Sequence, residues 1–190
     1  MPLKPQQRAA TYADIEALQP HVVGEILFGV LHTHPRPAPR HARAAGGLHA
    51  ELNSPFDRGR GGPGGWVILI EPEIRLGDFV IVPDLAGWRR ERMARLPDAA
   101  SIQLAPDWAC EVLSPSTARL DRTDKLAVYA RFEVSHVWLA DPIVRTLEVL
   151  VLTGSKYLIA ATFKDAEPVT APPFEAHTFP LDVLWPDEMA

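Results

Sequence analysis

Apolar residues along the chain alternate between helical spacing and continuous strand-like runs. Thr11 precedes Tyr12-Ala13-Asp14-Ile15-Glu16-Ala17-Leu18, and Pro20 follows. A hydroxyl ahead of such a run caps a helix and proline ends it, so a short helix is expected there. Val22 to Leu31 reads as a strand with Gly24 and Gly29 as bends, and the proline-rich, basic stretch His32 to Arg40 reads as a loop. Between Arg40 and Leu52, the residues Ala44, Ala45, Leu48 and Leu52 share one face of a helix. Gly46 and Gly47 weaken that helix by roughly 1 kcal/mol each. Asn53 to Gly65 is rich in glycine, carries Arg58 and Arg60, and reads as a mobile surface loop.

From Gly65 onward strand character dominates. Trp66 to Ile70, Phe79 to Trp88, Trp108 to Leu113, Val137 to Leu139 and Thr146 to Leu152 are the expected strands, with Tyr157 to Thr162 a further candidate. Leu120 to Phe132 is the one clear helix in this half, with Ser116 or Thr117 capping the turn before it. Phe179 to Trp185 is expected to pack on the core as a final apolar segment. This order predicts an α/β (α+β) fold with a mixed sheet, edge strands and room for a homodimer. No internal repeat or linker divides the chain, so residues 1–10 are read as a flexible tail and 11–190 as one domain.

A chain of 190 residues suffices for a substantial core. The net charge of −5 argues against coating nucleic acid by bulk electrostatics, but a local basic rim with a bound cation can supply the field a nuclease needs. Cys110 is the single cysteine, which excludes an intrachain disulfide and fits a reducing cytoplasm. The N-terminal residues Met1 to Arg8 lack the apolar stretch of a signal peptide, and no run is long enough to cross a bilayer. A soluble, cytoplasmic protein is expected.

Three residues then stand out. Asp84 ends the apolar run Val80-Ile81-Val82-Pro83, Glu111 interrupts the apolar run from Trp108 to Leu113, and Lys125 falls on the helix that follows. Carboxylates on neighbouring strands can hold a hard divalent cation, and a nearby ammonium can orient or deprotonate an attacking water. A glutamate in a buried strand is costly unless paired, protonated or metal-bound; the bland alternative is a half-exposed strand with Glu111 facing outward. Asp121, Lys125 and Tyr129 recur every four residues and share a helix face, where Asp121 and Lys125 could also be a mere solvated ion pair.

His32, His34, His41 and His49 fit no zinc spacing and are read as surface or loop residues. Arg36, Arg40, Arg43, Arg89, Arg90, Arg92 and Arg95 could touch phosphates or simply be solvated. No phosphate-binding loop with its lysine and no GxSxG elbow is present.

The blocks Val82-Pro83-Asp84-Leu85, Ala105 to Thr117, Asp121-Arg122-Thr123-Asp124-Lys125-Leu126 and Tyr129-Ala130 together resemble the Uma-two family of endonucleases. So do Val137 to Pro142, Arg145 to Val149, Gly24-Glu25-Ile26, Pro39-Arg40-His41 and Phe179-Pro180-Leu181, and the likeness runs over residues 11–186. That family is placed in the restriction-endonuclease-like, PD-(D/E)XK superfamily. The resemblance implies a central mixed sheet flanked by helices and a Mg²⁺ site, with Mn²⁺ as a substitute. It implies Asp84 and Glu111 as metal ligands and catalytic acids, with the backbone carbonyl of Val112 as a further ligand. The superfamily's lysine usually stands two residues after the glutamate; that position here is Leu113, and Lys125 is expected to supply the ammonium instead. Glu25, Asp121 and Tyr129 are accessory candidates. The reading is a metal-dependent endonuclease acting on nucleic acid, taken as DNA; the alternative is a catalytically silent nucleic-acid-binding or assembly module of the same fold.

Overall fold

The structure, a computed structural model, describes residues 8–34 and 37–185. In chain order the elements are α1 (Tyr12–Glu16), β1 (Val23–Leu27), β2 (Val30–His34), α2 (Pro39–Leu52), β3 (Trp66–Ile70), β4 (Ile74–Leu76), β5 (Phe79–Ile81), β6 (Leu85–Arg89) and β7 (Trp108–Val112). There follow α3 (Ala118–Leu120), α4 (Leu126–Arg131), β8 (His136–Asp141), β9 (Thr146–Thr153), β10 (Lys156–Lys164), β11 (Pro168–Val169) and β12 (Phe179–Pro180). Wide π-helical turns extend α2 through Asn53–Asp57 and join α3 to α4 through Asp121–Lys125.

A six-stranded sheet in the order β10-β9-β8-β7-β6-β3 forms the centre. Only β7 and β8 run parallel; the other neighbours are antiparallel, so the sheet is mixed as expected. A second sheet, β2-β1-β5-β4, is wholly antiparallel.

Successive side chains on a strand face opposite sides, and this splits the core in two. From β7, Trp108, Cys110 and Val112 join one apolar cluster with Ala44, Leu48 and Leu52 of α2 and the C-terminal Leu181 and Leu184. Ala109 joins the other cluster with Val128 and Tyr129 of α4. Glu111 has the parity of Ala109, and its side chain therefore meets the α3–α4 helix. Both faces of β7 are covered, which is why all five of its residues are buried.

Several local expectations change. Val22 to Leu31 is not one strand: Phe28 and Gly29, at φ 51° and 77°, turn it into a hairpin of β1 and β2. Two consecutive left-handed residues make the tight turn whose twist matches paired strands, and glycine enters that region without a Cβ penalty. Gly24 is a straight strand position, and His32 and His34 lie in β2 rather than in a loop. Phe79 to Trp88 also divides, with β5 in the small sheet and β6 in the large one. The bend between them holds Pro83 and Asp84.

Asn53 to Gly65 is packed rather than a free loop. Pro55 and Phe56 are buried, and the Gly64 amide donates to the Pro55 carbonyl at 2.9 Å. Of the expected N-terminal tail, residues 1–7 lie outside the described residues. Residues 8–10 are tethered: the Ala10 amide donates to the Gly29 carbonyl at 2.8 Å, and Arg8 pairs with Asp14. Among the described residues no helix is long and apolar enough to cross a membrane.

Candidate active site

The bend between the two sheets sets the place. Pro83 cannot donate to a ladder, so pairing breaks after Ile81, and Asp84 turns out where β5 leaves one sheet and β6 enters the other. Asp84 Oδ2 accepts the Val112 amide at 2.7 Å, which ties the bend to the end of β7. His41, one turn into α2, brings Nε2 to 3.2 Å from Asp84 Oδ1. A pocket of about 270 Å³ opens beside these groups, with Glu25, His34, His41, Glu71, Asp84, Glu111, Asp121 and Lys125 among its walls.

Lys125 is the centre of the buried part. Its Nζ lies 2.7 Å from Glu111 Oε2, 3.2 Å from Glu25 Oε1 and 3.6 Å from Asp121 Oδ1, and 3.4 Å from the Val82 carbonyl. The Tyr129 hydroxyl donates to the other oxygen of Glu111. Glu25 is fully engaged as well, since the Val82 amide donates to Oε1 at 2.7 Å and His34 Nε2 stands 3.1 Å from Oε2. Glu25, Glu111, Asp121 and Lys125 are each at most 3 % exposed. That removes both bland alternatives: Glu111 does not face solvent, and Asp121 and Lys125 are not a solvated pair.

Burial disfavours charge and neighbours then decide its fate. Burial alone would lower the Lys125 ammonium, but Glu111, Glu25, Asp121 and Asp84 together raise it well above its ordinary value. Burial works to raise Glu25, yet the Lys125 charge, His34 and the Val82 amide outweigh it and hold the carboxyl at about 2. Glu111 goes the other way: burial pushes it well above the carboxylate range against the pull of Lys125. Asp121 is likewise raised, chiefly by burial, with Lys125 and Thr117 opposing. One ammonium thus serves several acids, and Glu25 has the greater share of other donors.

The donors are those a hard divalent cation takes, namely carboxylate oxygens: three carboxyl groups face a single ammonium, and Asp84 stands on the same pocket wall. The donor chemistry therefore fits Mg²⁺ or Mn²⁺. As the side chains stand, no three acids or histidines among the described residues converge closely enough to hold a metal ion, because the Lys125 ammonium fills the space between Glu25, Glu111 and Asp121.

Asp84, Glu111, Lys125, Glu25, Asp121 and Tyr129 are thus brought into one neighbourhood from four separate segments, with Asp121, Lys125 and Tyr129 on one helical stretch. Sequence reasoning placed His41 and His34 with ordinary surface or loop histidines, and the structure places both in the pocket wall, each against an acid. The only available signal was the position of His41 beside Pro39 and Arg40 in a block already matched to the family. Arg90 and Arg92 are bound to Asp57 and Asp107 at 3.0 and 2.7 Å, and Arg89 lies over the Trp66 ring, so all three have partners within the protein. Arg40 and Arg43 are exposed on α2, the helix whose His41 lines the pocket, and Arg36 lies outside the described residues.

Comparison with known proteins agrees with this architecture. A crystal structure titled as a putative nuclease belonging to DUF820 from Anabaena variabilis superposes with a TM-score of 0.73 at 22% sequence identity, covering 90% of this chain and 94% of that one. At that identity the likeness shows the fold. No curated protein matches. The model of the Uma2 (Uma-two) family, described as "Putative restriction endonuclease", matches residues 9–183, nearly the whole length, and the chain belongs to that family.

Proposed function

We propose that this protein is a metal-dependent endonuclease that hydrolyses phosphodiester bonds in DNA. The observation that carries the proposal is the grouping of Glu25, Glu111 and Asp121 around the buried Lys125 ammonium, with Asp84 on the wall of the same pocket, in a chain of a restriction-endonuclease family. Asp84 and Glu111 would hold Mg²⁺, with the Val112 carbonyl as a further donor. When bound, the cation supplies Lewis acidity toward a phosphate oxygen and makes a bound water more acidic.

The protein's own groups have separate tasks. Val112 and His41 restrain the Asp84 carboxylate from two sides. Tyr129 and Lys125 each take one oxygen of Glu111 and keep the group from rotating. The Lys125 ammonium orients the attacking water or offsets negative charge that develops on phosphate oxygens. Glu25 and Asp121 hold that ammonium in place. Exposed Arg40 and Arg43 on α2 offer contacts to backbone phosphates. Cutting both strands of a duplex is simplest with two such pockets, which a homodimer would supply.

The test is incubation of the purified protein with supercoiled plasmid and Mg²⁺ or Mn²⁺, beside Asp84→Asn and Glu111→Ala. Nicking or linearisation that needs the cation and disappears in both folded variants is the expected result; undiminished cleavage by Glu111→Ala refutes the assignment. The silent-module reading has one observation in its favour: among the described residues no group of three ligands is ready-made. That reading requires DNA binding that persists without divalent cations and falls with salt.

A further inference from the structure

The cation reading proposed above, on which this inference rests, leaves one question: what fills the carboxylate focus before an ion arrives. Lys125 Nζ stands within 3.6 Å of oxygens from three acids on three different segments, Glu25 on β1, Glu111 on β7 and Asp121 in the turn before α4. The side chain is 3% exposed, so water does little to screen it. An ammonium is a compact point charge with three donors, and here it meets carboxylate oxygens much as a small cation would. Two cations a few ångströms apart in a poorly screened interior repel strongly. An ion reaching Glu111 therefore competes with Lys125 for the same carboxyl group.

We infer that Lys125 is a built-in competitor for the divalent cation and sets the affinity of the site, with Glu25 as the anchor that keeps the ammonium once Glu111 is given up. Glu25 is equipped for that task. It already contacts Nζ at 3.2 Å, and the Val82 amide and His34 hold its orientation independently of Glu111. The Val82 carbonyl, 3.4 Å from Nζ, offers a second acceptor on the same side. The lysine need only release one oxygen, not leave the pocket. This adds to the usual catalytic use of such a lysine an opposing effect on binding: the group that helps the reaction weakens the ion.

The experiment is Mn²⁺ binding by titration calorimetry on the full chain, in wild type, Lys125→Met and the double variant Glu25→Gln/Lys125→Met, with circular dichroism as the folding control. Removing a lysine also makes the pocket more negative; the double variant restores the wild-type net charge and isolates the occupied position. Lys125→Met and the double variant should each bind Mn²⁺ about tenfold tighter than wild type, the scale of one charge-assisted hydrogen bond. Equal or weaker binding by the double variant overturns the inference. In wild type, Mg²⁺ titration should also shift the Lys125 ammonium nitrogen resonance, a test that needs no variant to fold; saturation with no shift overturns it as well. Wild type that binds neither cation sinks the metal reading itself, whereas wild type that binds normally beside an unimproved double variant sinks only the competitor.

Discussion

His41 Nε2 lies 3.2 Å from Asp84 Oδ1, while its Nδ1 is buried without a hydrogen-bond partner among the described residues. The ring is thus committed to one acid. Burial works to lower its pKa, but the bond to Asp84 and the charge of that carboxylate raise it above 6.5. The fold favours the protonated ring. The resulting stability is fully present below the unfolded value of 6.5 and is lost as pH rises through the higher folded value. Urea denaturation of the metal-free protein across this range should show wild type exceeding His41→Asn most on the acid side, with the gap closing as pH climbs. A constant gap would mean that Asp84 does not hold the proton.

Glu25 has the opposite sign. Its carboxyl falls from 4.5 to about 2 in the folded protein because Lys125, His34 and the Val82 amide outweigh burial. The stability it contributes is present above 4.5 and disappears as pH falls through about 2. Glu25→Gln should lower unfolding free energy near neutrality by on the order of 3 kcal/mol, and the loss should shrink with acidification. Matching acid-unfolding curves for the two proteins would contradict the ion pair with Lys125.

Tyr129→Phe removes one hydroxyl from the interior and leaves a Glu111 oxygen without its donor. Leaving a buried acceptor without its donor costs about 1–3 kcal/mol, and the shape of the side chain is otherwise preserved. The urea midpoint should drop accordingly with an unchanged slope. A neutral result would show that Glu111 finds another donor.

Gly46 and Gly47 look alike in a helical sequence and should respond in opposite ways. A Cβ at Gly46 meets nothing within 4 Å, whereas one at Gly47 comes 2.6 Å from the Val183 carbonyl of the C-terminal segment. Gly46→Ala should stabilise by up to about 1 kcal/mol through helix propensity. Gly47→Ala should destabilise, because α2 must shift away from backbone that cannot yield. Thermal melts of the two variants decide the matter by the sign of the change in Tm.

Local periodicity in the chain is enough to specify the faces of single elements. The face Ala44, Ala45, Leu48 and Leu52 is buried on α2, the long apolar run around Glu111 is a central strand, and Asp121, Lys125 and Tyr129 lie on one buried side of a helix. These follow from spacings of two and about four residues, which the chain carries in any context. What those faces meet depends on how the elements pack. Phe79 to Trp88 is one apolar run in sequence but serves two sheets, because hydrophobicity does not say where a ladder ends. Asn53 to Gly65 has loop composition and yet is packed, since Gly62 and Gly64 allow the backbone to close on Pro55. Glu25 and Lys125 stand a hundred positions apart, and His41 and Asp84 more than forty. Their contacts are set by sheet register and by the packing of two helices over one bend, and no local pattern in the chain specifies a distance of 3 Å between residues so far separated.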